Sequence, residues 1–86
     1  RIRAMLLLGK CYDAKNMHDM ALRQLEEANK ELIEMNDTKK EILYMIGLLY
    51  EKQGKKGESL AAFQQIYDAE YGYRDVARRV ESSYGN

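Results

Sequence analysis

The one cysteine and the one histidine of this chain, Cys11 and His18, stand seven positions apart. A Cys–His nucleophilic pair needs the two side chains to meet beside an oxyanion hole. Here they fall on consecutive helical segments, and structural roles are expected for both: Cys11 as a small packed residue, His18 as a side chain beside a turn. Zinc needs three or four ligands, and no further Cys or His exists to complete a set. The carboxylates Glu26, Glu27, Glu31 and Glu34 raise acid–base or calcium chemistry. They interleave with Lys30 on one helical face and have no loop to gather oxygens around an ion. The glycines, Gly54 and Gly57 among them, form no phosphate-cradling motif. The expectation is a non-enzyme with no catalytic, cofactor-binding or metal-binding residues.

What these residues sit on follows from composition and periodicity. The chain has 86 residues, enough for one domain with a modest core. Hydrophobic residues make up 45 %, so a folded chain is expected. Fourteen basic residues balance fourteen acidic ones, and no basic stripe or polybasic cluster stands out, which argues against nucleic acid and membrane as partners. The longest apolar run, Ala4 to Leu8, is far too short to cross a bilayer or act as a signal. A single cysteine fits a reducing compartment, such as the cytoplasm. Because the sequence opens on Arg1, it is expected to be a piece of a longer protein.

Alternating patterns are absent and proline is absent, so the reading is all-α, with helices over about residues 2–14, 17–35, 39–53, 57–70 and 73–84. Asn16 is expected to cap the second helix, and Thr38-Lys39-Lys40-Glu41 to form a capping box for the third. Apolar stripes are Met5, Leu8, Gly9, Tyr12 on the first helix; Met17, Ala21, Leu25, Ala28, Leu32 on the second; Leu43, Ile46, Gly47, Tyr50 on the third; Leu60, Phe63 and either Ile66 or Tyr67 on the fourth; Val76, Ala77, Val80, Tyr84 on the fifth. The five methionines, Met5, Met17, Met20, Met35 and Met45, stand at core spacing and are expected as filler, not as a promiscuous binding surface.

The chain repeats itself. Met5-x-x-Leu8-Gly9-x-x-Tyr12 recurs as Leu43-x-x-Ile46-Gly47-x-x-Tyr50, and Ala21-x-x-x-Leu25-x-x-Ala28 as Ser59-x-x-x-Phe63-x-x-Ile66, always 38 residues on. Helix count, motif and period resemble the tetratricopeptide repeat, whose usual period is about 34 residues. The departures are a missing opening Trp, a missing late Pro, His18 and Lys56 in place of the usual aromatic just after the internal turn, and the four extra residues, expected to lengthen the second helix by one turn. Gly9 and Gly47 are expected to admit Ala21 and Ser59 of the facing helices. Tyr12 and Tyr50 are expected to fill the wedge near each turn.

The resemblance implies a right-handed helical-hairpin solenoid in one domain: repeat one over about 2–35, repeat two over about 38–71, and a capping helix at 73–84, the alternative being that 73–84 is the first helix of a third, degenerate repeat lacking the Leu-Gly-x-x-Tyr signature. It also implies protein–protein interaction, with a peptide or protein segment bound on the concave face. The matching positions are Arg3, Leu6, Lys10 and Asp13 in repeat one and Glu41, Tyr44, Met45, Leu48 and Lys52 in repeat two. Tyr44, Leu48 and Leu6 are expected to form an open apolar strip, with Lys10, Lys52, Asp13 and Glu41 as a charged rim. The clamp of Lys, Asn and Arg that some family members use for a terminal carboxylate is absent, since Leu6, Lys10 and Met45 stand at matching places. Two alternatives remain: a docking arm for an enzyme whose catalytic part lies outside this sequence, and self-association through a solenoid end.

Overall fold

The two copies of the repeat fold as two helical hairpins, and a fifth helix follows them. In the computed structural model, which describes residues 1–85, the helices are α1 (Ile2–Ala14), α2 (His18–Glu31), α3 (Asp37–Lys52), α4 (Lys56–Ala69) and α5 (Val76–Tyr84). Each packs on the next in chain order: α1 on α2, α2 on α3, α3 on α4, α4 on α5. The result is a slab of 37 × 28 × 17 Å. One continuous core runs through it, from Leu6 past Leu25, Leu43 and Phe63 to Val80. The all-α hairpin solenoid with a C-terminal helix, expected from periodicity and repeat, is the fold observed.

The turns within the hairpins repeat in detail. Gly54 has a φ of 75° and Asn16, 38 residues earlier, a φ of 60°. Glycine and asparagine are the residues that take this left-handed conformation at least cost. At each turn the next two amides bond back: Asn16 N to Asp13 O (2.9 Å) and Met17 N to Tyr12 O (2.8 Å), then Gly54 N to Glu51 O (3.0 Å) and Lys55 N to Tyr50 O (2.9 Å). These bonds satisfy carbonyls left open at a helix C-terminus. Asn16 therefore ends α1 and does not cap α2, whose N-cap is Met17 without a side-chain bond.

The link between the hairpins departs from expectation twice. α2 stops at Glu31, not near residue 35, because the Lys39 ammonium reaches back to the carbonyls of Asn29 (3.0 Å) and Leu32 (2.6 Å). The four extra residues of the period thus lie in the connection, where Ile33 is exposed. The cap of α3 is Asn36, whose Oδ1 accepts from Lys39 N at 2.8 Å; Thr38 lies inside the helix. α5 likewise starts at Val76 and not at residue 73, after Tyr73-Arg74-Asp75.

The glycines permit a close approach, though of other side chains than expected. A Cβ on Gly47 would lie 2.6–2.9 Å from the Phe63 ring, and one on Gly9 would lie 2.8 Å from Leu25 Cγ and Cδ2. Phe63 and Leu25 are buried at 1 % and 0 % exposure, so they, not Ser59 and Ala21, fill the space the glycines leave. Ser59 contributes differently: its hydroxyl donates to Gly47 O at 2.8 Å.

Tyr50 ties the hairpins together. Its hydroxyl donates to Glu26 Oε2 at 2.8 Å, from α3 to α2. That bond to a carboxylate, with partial burial, raises the phenol from 10.0 to about 12. A folded pKa above the unfolded one means the contribution to stability is complete below pH 10 and vanishes as pH rises toward 12. Denaturant titrations across that window should show a smaller pH-dependent loss in Tyr50→Phe than in wild type. Equal slopes would mean the bond does not persist in solution.

Candidate functional site

The face shared by α1, α3 and α5 brings the expected site residues near one another, with a different division of roles. Lys10 pairs with Glu41 (3.1 Å) and Lys52 with Asp13 (3.1 Å), so the charged rim is two cross-repeat ion pairs joining α1 to α3. Being substantially solvated, each is worth about 0–1 kcal/mol. Arg3 is exposed, Met45 and Leu48 are half-buried, and Leu6 is buried at 9 % exposure.

Tyr44 is also buried, at 9 %, which corrects its expected exposure. Its ring meets Phe63 edge-on, with centroids 5.5 Å apart, and Tyr73 at 6.1 Å. Arg74 stacks over it at 4.8 Å, and its hydroxyl donates to Asp75 Oδ1 at 2.6 Å. The segment before α5 covers it. Periodicity within α3 gives no sign of that, because the covering residues lie about 30 positions later. Burial disfavours the Asp75 carboxylate's charge, but the bonds from Tyr44 and Arg79 outweigh it and hold its pKa below the ordinary value.

Beyond Tyr44 the same face opens into a groove that sequence reasoning missed. Its volume is about 430 Å³, between the ends of α3, α4 and α5. Phe63 and Leu60 give it an apolar floor; Glu51, Lys56, Arg78 and Arg79 line it with charge. Arg79 is committed to Glu51 (2.8 Å) and Asp75 (3.0 Å), with its guanidinium 5.1 Å from the Phe63 ring centre. The signal was available in the 38-residue offset: Arg79, Ser82 and Ser83 hold the places of Glu41, Tyr44 and Met45. Two serines stand where repeat two has bulky side chains, and the space stays open.

The catalytic candidates are not assembled. Cys11 is exposed, against the packed position expected for it, and His18 Nε2 is buried without a partner. Among the described residues, no three His, Cys, Asp or Glu side chains are grouped to hold a metal. Also among them, no helix is long and apolar enough to cross a membrane.

A family model described as Tetratricopeptide repeat matches residues 3–31 and 41–69. These spans cover α1–α2 and α3–α4. No curated protein and no solved structure matches the chain.

Proposed function

This chain belongs to the tetratricopeptide repeat family, whose members generally mediate protein–protein interaction and are typically non-catalytic, and we propose that it binds a peptide or protein segment on its concave face. The observation that carries this reading is the groove of about 430 Å³ beside the α1–α3 rim. That volume is within the range of binding pockets and takes one or two side chains of an extended segment. Its apolar floor suits an aliphatic or aromatic anchor. The cations Lys56 and Arg78 at its edge suit an acidic neighbour of that anchor. Leu48 and Met45, half-buried on α3, lie in sequence between Glu41 and Lys52, the two α3 residues that pair with α1. Leu6 and Tyr44 support the surface from beneath.

A photoreactive amino acid at Leu48 should capture a protein from extracts of the native cell, whereas one at Gln65 should not. With that partner in hand, Leu48→Asp should weaken binding by about 1–2 kcal/mol or more at a temperature well below its own melting point, which the loss of a half-buried leucine lowers. Unchanged affinity in Leu48→Asp would place the contact elsewhere.

A further inference from the structure

The internal repeat shows what one bare face of α1 is shaped to receive. Ala4, Leu7, Leu8 and Cys11 are all exposed, Leu7 at 62 % and Leu8 at 43 %, although Leu8 belongs to the expected core stripe. Their counterparts 38 residues on are Ile42, Met45, Ile46 and Leu49. Ile42, Ile46 and Leu49 are 0 %, 4 % and 1 % exposed, in the layer where α2 packs on α3. The same stripe is interior in one repeat and bare in the other.

The polar groups repeat as well. α2 offers α3 two carboxylates seven residues apart, two helical turns, and hence on one stripe. Asp19 Oδ1 accepts from Gln53 Nε2 (2.8 Å) and Glu26 Oε2 from the Tyr50 hydroxyl (2.8 Å). The counterparts of Tyr50 and Gln53 are Tyr12 and Lys15. No hydrogen bond of the Tyr12 hydroxyl is found among the described residues. Met17 and Met20, 40 % and 38 % exposed, hold the places of Lys55 and Glu58, which lie beside Tyr50. Apolar residues gathered on one exposed face mark a contact surface.

We propose that this face of α1 docks the second helix of a further stacked hairpin: an amphipathic helix with a leucine–alanine stripe and two carboxylates seven residues apart. Tyr12 gives its hydroxyl to one carboxylate and Lys15 its ammonium to the other, as Tyr50 and Gln53 do one repeat later. The argument is continuity with the α2–α3 interface. A second copy of this chain does not fit, because its α2 is covered by α3 and its α4 by α5. Helix α4 also lacks the chemistry, with Gly57 and Gln64 in the places of Asp19 and Glu26.

The test extends the full chain at its N-terminus by a second copy of residues 1–38, with Cys11→Ser in the added copy only. The readout is the rate at which the one remaining thiol reacts with an aromatic disulfide. Docking gives Cys11 the burial of Leu49, so its reaction should slow by about tenfold or more relative to the unextended chain. Leu8→Asp in the original copy, or Glu26→Lys in the added one, should restore most of the rate. Leu8→Asp alone, without the extension, should leave the melting temperature unchanged. An unprotected thiol in the extended protein overturns the docking surface. Protection that survives Glu26→Lys overturns its preference for an acidic helix.

Discussion

Gly47→Leu should cost the protein about 3 kcal/mol or more of stability, the upper end of what overpacking a filled core costs. A Cβ alone would stand 2.6 Å from Phe63 Cζ. The ring cannot retreat: it is 1 % exposed, edge-on to Tyr44, and has the Arg79 guanidinium over its face. Nor can α3 shift easily, since α2 and α4 pack on it from two sides. Helix propensity points the other way, favouring any replacement of a mid-helix glycine by about 1 kcal/mol. The sign of the change therefore decides between packing and propensity. Gly9→Leu meets Leu25 at 2.8 Å, but α1 packs chiefly on α2 and is tied to α3 by two solvated ion pairs, so it can tilt outward and the cost should be smaller. Denaturant titrations of both variants measure the difference. A stabilised Gly47→Leu would mean that the helices are not held at this separation.

The contrast between the two glycines also shows how far the sequence could be read. Both repeats are legible because three pairs, Gly9 and Gly47, Tyr12 and Tyr50, and the small Ala21 and Ser59, recur at one offset, and the same packing requires the same residue types wherever it is built. Asn16 shows the limit: by residue type it suits a helix cap, a role asparagine often has. Its counterpart is Gly54, and that pairing reveals a left-handed turn position. Lys39 is the same kind of case. As a surface lysine it looks ordinary, yet it ends α2 by bonding two carbonyls seven and ten residues back.

Contacts between distant segments were not legible at all. Tyr44 was read as a partner-facing residue because it falls off the hairpin stripe of α3. Its true neighbours, Tyr73 to Asp75, belong to a segment without periodicity. The groove escaped notice because the last helix was treated as a cap with no part in the site. Yet Val80 falls 38 residues after Ile42 and both are buried, and Tyr84-Gly85 falls at the offset of Ile46-Gly47. So α5 takes on α4 the place that α3 takes on α2. A Tyr in the Leu position and a helix of nine residues weaken that correspondence, which the sequence offers only as the alternative to a cap.

Removing residues 73–86 should therefore do more than trim a tail. Val76 and Val80 are 0 % and 1 % exposed, and burying a side chain of that size is worth about 1.5–3 kcal/mol. The two together match a large part of the roughly 5–15 kcal/mol that holds a small domain folded. The loss does not end there. Tyr44 loses Tyr73 and its bond to Asp75, and Phe63 loses the Arg79 guanidinium above it. The α4 face around Phe63 and Ile66 then opens to water as one apolar strip, the kind of surface that a terminal helix keeps soluble. A loss of about 3 kcal/mol lowers the melting temperature of a chain this size by roughly 12–24 °C. The truncated protein should melt lower by at least that margin and sediment as oligomers at concentrations where the full chain does not. Val80→Asp should reproduce the destabilisation in the full-length chain by burying an unpaired carboxylate. A truncated form with the original melting temperature and a monomeric mass would show that α5 is an appendage, and that the groove beside it is no permanent part of the concave face.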